Sequence, residues 1–310
     1  MRGMVIYNPA AGRFPVRPFI PSLVRRLKRR GWEVTVSETL HGRHATQVAY
    51  QAALEQYEAV FAIGGDGTIG MVAAGLKGSQ TTLGVLPAGT SNVWAQEIGL
   101  RTFTWFSWYA LAQNLDLLLH SPRRAIDLGL CNDNPFLLWA GLGLDALTVH
   151  RLEPRRRFYK YISVPHYAAA TIWNVSFWHG LDLQVWHEGQ KIEGHYLLAV
   201  ATNIRRYIGG LATLSPQAFL DDGVMDLWLF GGATLIDAFR HFFALLAGRH
   251  IESVDVLRLP FQRVAVTAAI PFPLQLDGEP MLGGKEARLE VLPRSLWVYL
   301  PPAGEALLSS

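Results

Sequence analysis

The stretch FAIGGDGTIG, residues 61–70, decides the fold of the first part of the chain. It begins as an apolar run typical of a buried strand and ends in glycines that surround one aspartate, Asp66. Glycine-rich turns after buried strands let backbone N–H groups approach phosphates, yet a carboxylate there should repel them. The residues allow two explanations. Asp66 and Thr68 cap the following helix, or Asp66 meets a divalent cation or a hydroxyl group.

Two similar loops follow other strand-like runs, YNPAAGR at 7–13 and LPAGTSN at 86–92. Between these loops, apolar spacing predicts short helices, one over 18–30 that stops at Gly31 and one from Thr68 that stops at Gly78. Alternating strands and helices predict a parallel sheet covered by helices, with ligands at the carboxyl ends of its strands. Neither the G-x-x-x-x-G-K-[ST] loop nor the G-x-G-x-x-G fingerprint occurs.

The pattern changes beyond about Arg123, where strand-like runs are broken by Gly, Asn or Pro. EGQK at 188–191 predicts a hairpin turn, and TLIDAFRHFFALLAG at 234–248 predicts a helix. The fold class is therefore an α/β domain followed by a mainly antiparallel β-sandwich-like domain. We place the first domain at 1–123 and the second at 124–293, with 294–310 packing back on the first.

Composition narrows the class of protein. Of 310 residues, 50% are hydrophobic and only 17% are charged, which predicts a well-packed globular protein. The single cysteine, Cys131, excludes an intramolecular disulfide and a cysteine-cluster metal site. We find no signal peptide and no run of about 18 apolar residues, so we expect a cytoplasmic protein without a transmembrane segment.

The net charge of +3 is unevenly distributed. RRLKRR at 25–30 is typical of the solvated face of a helix, whereas RLEPRRRFYKY at 151–161 mixes basic and aromatic residues and suits an anionic membrane surface or charged ligand. We expect no nucleic-acid partner, since no stacking motif accompanies the segment. Several tryptophans lie in apolar segments: Trp105, Trp108, Trp173, Trp178 and Trp186. The sequence does not show which of them pack in the core and which contact lipid.

Several motifs together suggest a family. NPAAG (8–12), GGDGT (64–68), LGVLPAGTSN (83–92), FLDDGVMDL (219–227) and QLDGEP (275–280) occur in this order. In this the chain resembles the diacylglycerol kinase catalytic-domain family, the bacterial soluble lipid kinases related to sphingosine and ceramide kinases. GGDGT alone is shared with NAD kinases, and LDGEP favours the lipid kinases.

The resemblance implies a kinase that depends on ATP and Mg²⁺, and it implies roles for particular residues. Asp66, Asp277 and Glu279 would be catalytic, the last two as general base and partner. Mg²⁺ would be bound by the Asp222 carboxylate and the carbonyls of Phe219 and Val224. The ATP-binding residues would be Asn8, Pro9, Ala10, Ala11, Gly12, Thr39, Gly64, Gly65, Asp66, Gly67, Thr68, Ile69, Gly70 and Thr90.

The LDGEP segment can also be interpreted from its residues alone. If QLDGE is extended, Asp277 and Glu279 project to the same side, since alternate residues of a strand share a face. On local sequence a β-turn with solvated acids around Gly278 is the better interpretation, and only the resemblance favours the catalytic one.

Some positions depart from the family pattern. Gly70, Met71 and Ala74 stand where Asn, Glu and Asn are usual, and Val93 replaces the aspartate of an Asn-Asp pair. We expect an active enzyme that acts on a lipid hydroxyl at a membrane surface and binds the membrane reversibly. The sequence leaves open whether the protein forms a homodimer. The alternatives are a non-catalytic nucleotide- or lipid-binding regulator and a kinase of a soluble acceptor such as NAD.

Overall fold

The structure is a computed structural model that describes residues 1–40, 43–152 and 178–309. Its contacts divide the chain into two compact units. The first unit comprises 1–128, 220–222 and 293–310, and the second comprises 129–219 and 223–292. The opening segment of the first unit ends at 128, whereas the sequence suggested a boundary at 123. Nothing in the sequence pointed to the short segment 220–222 as part of this unit.

The first unit is built on a parallel sheet whose strands alternate with helices. Strands β3 and β4 are buried at every residue, as expected where helices cover both faces of a sheet. The elements are β1 Arg2–Tyr7, α1 Ile20–Arg29, β2 Glu33–Glu38, α2 His44–Leu54, β3 Ala59–Gly64, α3 Asp66–Leu76, β4 Thr82–Pro87, α4 Val93–Glu97 and α5 Ala110–His120.

The strands of this unit lie in the order β2–β1–β3–β4, and every pair is parallel. Val298, near the end of the last strand of the chain, pairs with Leu83 of β4 in the same direction. The prediction of a parallel α/β domain is confirmed. The carboxyl ends of β1, β3 and β4 therefore lie at the same edge of the sheet.

Glycines end two helices as predicted. Gly31 follows α1 with φ +82° and Gly78 follows α3 with φ +72°, a left-handed conformation that glycine adopts at little cost. The predicted start of α3 at Thr68 is wrong by two residues, because the helix begins at Asp66. The second half of GGDGT is therefore helix and not loop.

The second unit is mainly antiparallel sheet, which confirms the second half of the fold prediction. The chain continues with β5 Arg123–Cys131, β6 Asn134–Phe136, β7 Trp139–Gly143, α6 Leu144–Leu152, β8 Leu181–His187, β9 Gln190–Thr202, β10 Arg206–Tyr207, β11 Ala212–Thr213, β12 Met225–Gly231, α7 Leu235–Leu246, β13 Val256–Phe261, β14 Arg263–Leu276, β15 Glu279–Tyr299 and α8 Pro302–Glu305.

Two long strands organise this unit. Strands β9 and β14 each pair with β7 over one part of their length and with β8 over another. Side chains such as Leu183, Leu227 and Phe272 fill the core that these strands enclose. The predicted EGQK hairpin is confirmed, with Glu188 and Gly189 at positive φ between paired β8 and β9.

The tryptophans separate into different environments. Trp178 packs on the core of the second unit and its Nε1 donates to the Leu197 carbonyl at 2.8 Å, whereas Trp108 and Trp186 are exposed. Trp173 and most of the basic-aromatic segment 151–161 lie outside the described residues. Within the described ranges, no helix is both long and apolar enough to cross a bilayer.

Candidate active site

The loops that follow β1, β3 and β4 converge in the first unit. The Asn8 N–H donates to the Ile63 carbonyl at 3.0 Å, and the Asn8 side-chain amide donates to the Thr68 hydroxyl at 3.2 Å. The Ala88 N–H donates to the Gly64 carbonyl at 2.8 Å. These bonds join the NPAAG, GGDGT and PAGT segments into one cluster, as the parallel sheet predicted.

Glycines are needed here because the loops touch each other by their backbones. A Cβ on Gly12 would lie 2.1 Å from the Ala88 carbonyl oxygen, and one on Gly89 would lie 2.3 Å from the Gly65 Cα. Gly12 also has φ +62°, which strains any other residue. The glycines therefore hold the loops together, a role that is separate from any approach to phosphate.

A Gly12→Ala variant tests this contact. Positive φ alone costs about 1 kcal/mol, and forcing the Ala88 backbone away should add about 2 kcal/mol. Gly78→Ala is a matched control, because Gly78 has φ +72° but no other atom lies within 4 Å of the position that its Cβ would occupy. Urea unfolding should show that Gly12→Ala lowers the free energy of unfolding more than Gly78→Ala does. Equal losses would contradict the backbone contact.

Asp66 caps a helix, but not the one that it begins. Its Oδ2 accepts the Val93 N–H at 3.0 Å and its Oδ1 accepts the Trp94 N–H at 3.1 Å, so it caps α4. The N-cap residue of α3 is Gly65, which has no side chain that could accept a hydrogen bond from the helix. Burial raises the pKa of the Asp66 carboxyl, while the backbone donors of Val93 and Trp94 lower it. The alternative explanation, that Asp66 and Thr68 cap α3, is thus wrong, whereas the catalytic role of Asp66 stays a prediction.

The start of α3 faces the converged loops. The first N–H groups of a helix have no partner within it and carry a partial positive charge, so they can bind an anion. Gly64, Gly65 and Gly67 lie at this end of α3. Ile69 and Gly70, also predicted to hold ATP, are buried inside the helix, so the Ile69 side chain contributes to the core.

The remaining predicted ATP residues of this unit lie beside these loops. Pro9 and Ala10 are accessible in the first loop, and the Ala10 N–H donates to the Asn8 side chain at 2.9 Å. Ala11 is buried. Thr39 follows β2, where its N–H donates to the Tyr7 carbonyl at 2.9 Å, and Thr90 is exposed after β4.

Of the four departures from the family pattern, Gly70 and Val93 are buried, whereas Met71 and Ala74 are only partly buried. Val93 is buried and contributes only its N–H to Asp66. The Met71 carbonyl accepts the Thr46 hydroxyl at 2.9 Å. Asn92, the surviving member of the Asn-Asp pair, accepts the Gly89 N–H at 2.7 Å and donates to the Gly89 carbonyl at 2.9 Å. Asn92 and Asp66 therefore fix the third loop from two sides.

In the second unit, the LDGEP segment is a tight hairpin and not an extended strand. Asp277 and Gly278 have φ +51° and +82°, and Leu276 pairs with Glu279 across the turn. The condition for Asp277 and Glu279 to share a strand face is not met, because the Asp-Gly pair favours a two-residue turn. Glu279, the first residue of β15, is partly exposed.

Asp277 is not a solvated acid. Its carboxylate is buried and accepts backbone N–H groups from Leu137 at 2.8 Å, Leu138 at 2.8 Å and Trp139 at 3.2 Å. The Asp277 N–H donates to the Trp139 carbonyl at 3.0 Å. Asp277 thereby fastens the hairpin that carries Glu279 to the segment before β7.

A second polar cluster supports the same hairpin. Buried Gln275 accepts the Gly278 N–H at 2.8 Å and donates to the Asp145 carboxylate at 2.6 Å. Burial raises the pKa of the Asp145 carboxyl, while hydrogen bonds from Gln275 and Tyr207 lower it. Sequence reasoning assigned no role to Gln275, although it begins the QLDGEP motif, and it missed Asp145, because the two residues lie 130 positions apart.

The predicted metal residues lie in the turn before β12. Phe219 and Val224 are partly buried, Asp222 is exposed, and Gly223 turns the chain with φ +74°. The adjacent Asp221 is tied to the chain end, since the Ser309 N–H donates to its Oδ1 at 2.6 Å. In the described part of the chain, no group of three or more His, Cys, Asp or Glu side chains could hold a metal ion.

Comparison with protein-family models and known proteins finds matches along most of the chain. A model of the diacylglycerol kinase catalytic domain matches residues 2–131, and a model of the YegS C-terminal NAD kinase beta sandwich-like domain matches residues 140–300. The diacylglycerol kinase of Bacillus subtilis (strain 168) is 28% identical over 97% of this chain and 96% of the relative. That of Staphylococcus carnosus (strain TM300) is 25% identical over 97% and 95%.

Solved structures share the fold. A crystal structure described as a diacylglycerol kinase from Bacillus anthracis str. Sterne is similar with a TM-score of 0.72, 19% identity and 97% of each chain covered. Another chain from that organism gives a TM-score of 0.77 at 21% identity, covering 97% of this chain and 98% of the other. These likenesses confirm an α/β unit joined to a β-sandwich-like unit.

Proposed function

Because this chain belongs to the lipid kinase family with a diacylglycerol kinase catalytic domain followed by a β-sandwich-like domain, we propose that it transfers the γ-phosphoryl group of ATP to the hydroxyl of a diacylglycerol-like lipid. The observation that carries the proposal is the convergence of three loops around the start of α3. Phosphoryl transfer depends mainly on positioning and charge neutralisation, which such a cluster can supply.

The nucleotide would bind to the first unit. The N–H groups at the start of α3 and the NPAAG and PAGT loops would hold the phosphates, with Thr39 and Thr90 at the edge of the cluster. Asp66 is compatible with phosphate because both of its oxygens are already hydrogen-bonded to α4. We assign to it the positioning of α4 and the third loop.

Magnesium fits the donors of the turn before β12. The Asp222 carboxylate and the carbonyls of Phe219 and Val224 are hard oxygen ligands of the kind that Mg²⁺ takes, usually together with waters and substrate phosphates. When bound, the ion would neutralise the charge that develops on the transferred group.

The acceptor would be activated from the second unit. The oxygen of the lipid hydroxyl forms a bond to the γ-phosphorus, the bond from that phosphorus to the bridging oxygen of ADP breaks, and the hydroxyl proton passes to the Glu279 carboxylate. Asp277 and Gln275 hold the hairpin in place, so that Glu279 stands on a fixed turn. The product is a phosphorylated lipid and ADP.

Transfer of label from γ-labelled ATP tests this function. Wild-type protein with Mg²⁺ would be given diacylglycerol, phosphatidylglycerol or a sphingoid base in detergent micelles, with NAD in a separate lipid-free reaction. We expect label in diacylglycerol and none in NAD. Label in NAD alone would establish a soluble acceptor, and ATP binding without any transfer would indicate a regulator.

The place of action follows from the substrate. A kinase that phosphorylates a lipid must reach the membrane, and we propose that this protein works in the cytoplasm and binds the bilayer reversibly. Reversible binding of this kind needs an anionic bilayer, basic side chains and some exposed apolar groups.

A further inference from the structure

The first unit exposes basic side chains of α1 that have no ion pair with a described residue, and aromatic side chains of a turn that packs against the start of α1. We infer that the surface formed by the outer stripe of α1 and the turn at 105–109 docks on an anionic lipid bilayer. The inference rests on the proposed reversible membrane binding and assigns it to specific residues. We refer to these residues as the α1–Trp108 surface.

Its basic part is the RRLKRR segment. Arg26 and Arg30 are paired with Asp116 of α5, at 2.8 and 3.2 Å. Arg25, Lys28 and Arg29 are exposed, and none of them has an ion pair with any described residue. They follow the helical spacing of one stripe, while the opposite stripe, with Leu23 and Leu27, is buried. The stripe therefore presents uncompensated positive charge to solvent.

Its aromatic part is held beside the helix by a fixed turn. Phe106 is 91% exposed and Trp108 is 59% exposed, which is unusual for aromatic side chains of this size. Trp108 stacks on Phe19, the residue before α1, with ring centroids 6.4 Å apart. The neighbouring Phe103 is buried and packs on Phe19 with centroids 5.2 Å apart.

Hydrogen bonds keep the turn from collapsing onto the surface. The Ser107 N–H donates to the Thr104 hydroxyl at 3.2 Å, and the Ser107 hydroxyl donates to the Thr102 carbonyl at 3.0 Å. Phe106 is thus presented outward by a capped 3-10 turn over Trp105–Ser107. Aromatic rings suit the bilayer interface and basic side chains suit anionic headgroups, so the two parts fit the same partner.

Another apolar surface, on α7, has no unpaired arginine or lysine within its helix. The outer face of α7 exposes Ile236 and Phe243 at 78% and 61%. The basic residue on this helix, Arg240, is already paired with Asp237 and Asp255, at 3.3 and 2.8 Å. Because the one arginine within this helix is already paired, this face provides the matched apolar control.

Binding to vesicles, measured by co-sedimentation without ATP, tests the charge. The variant Arg25→Gln/Lys28→Gln/Arg29→Gln is compared with Lys77→Gln/Arg249→Gln/Lys285→Gln, which removes the same charge from other exposed positions. On vesicles with phosphatidylglycerol, the first variant should lose affinity on the order of 100-fold at low salt, about fivefold per charge, and the control much less. Equal losses would overturn the assignment, since net charge would then explain the binding.

The aromatic part is tested in the same way. Phe106→Ser/Trp108→Ser should bind phosphatidylglycerol vesicles about tenfold more weakly, whereas Ile236→Ser/Phe243→Ser should bind like the wild type. The reverse order would assign docking to α7 and overturn the proposal. A change from dimer to monomer in Phe106→Ser/Trp108→Ser, with vesicle binding unchanged, would assign the surface to a second copy.

Kinase activity separates this inference from the proposed function. On diacylglycerol dissolved in neutral detergent micelles, both α1–Trp108 variants should retain wild-type activity, because neither change touches the loops or the LDGEP hairpin. If the protein proves inactive on every lipid, vesicle binding still decides the docking surface by itself. If lipid is phosphorylated but all variants bind vesicles alike, only the docking inference fails.

Discussion

Asp277→Asn is expected to destabilise the protein by about 3 kcal/mol. An amide has one acceptor oxygen where the carboxylate has two, so at least one buried N–H among residues 137–139 loses its partner and faces an NH₂ group. Urea unfolding of the two proteins under the same conditions measures the difference.

A matched turn provides the control for that variant. Asp133 also has positive φ, +66°, and lies in a two-residue hairpin turn with Asn132 between β5 and β6, but it is exposed. Asp133→Asn should change stability by less than about 0.5 kcal/mol. Were Asp277→Asn equally mild, the carboxylate would not be what fastens the hairpin.

Asp66→Asn is expected to weaken both the fold and nucleotide binding. Val93 and Trp94 are buried, so an N–H left without a carboxylate oxygen costs about 1–3 kcal/mol. Because α4 and the PAGT loop are adjacent, loosening them should raise the Kd for ATP about tenfold or more. Urea unfolding and ATP titration by calorimetry measure the two effects.

The control for Asp66 is another capping aspartate. Asp237 completes the capping box of α7 with Thr234, at an exposed helix start in the second unit. Asp237→Asn should cost about 1 kcal/mol and leave ATP affinity unchanged. If Asp66→Asn instead shifted only the Mg²⁺ dependence of turnover, with stability intact, Asp66 would meet the ion directly and its cap would be incidental.

Much of the fold follows from local patterns. The buried strands before GGDGT and PAGT, and the glycines after α1 and α3, are set by residues close to them in the chain, so periodicity and turn chemistry find them. Local sequence likewise favours the turn at Asp277 and Gly278. An extended QLDGE segment is required only if Asp277 and Glu279 are to share one face of a strand.

The contacts of the candidate site are harder to predict from sequence, because the two partners of each contact are distant in the chain. Asp66 binds N–H groups 27 and 28 residues away, and Asp277 binds N–H groups about 140 residues away. Backbone donors carry no sequence signature. A carboxylate in a glycine loop therefore indicates that it needs a partner, but only the tertiary structure identifies that partner.

We propose that Glu279 activates a lipid hydroxyl for phosphoryl transfer from ATP. Transfer of label from γ-labelled ATP to diacylglycerol by wild-type and Glu279→Gln proteins side by side, with the Kd for ATP measured on both, tests this role. The glutamine variant should lose about 10²–10⁴ in kcat and keep its ATP affinity. A glutamine variant that phosphorylates the lipid at the wild-type rate would contradict it.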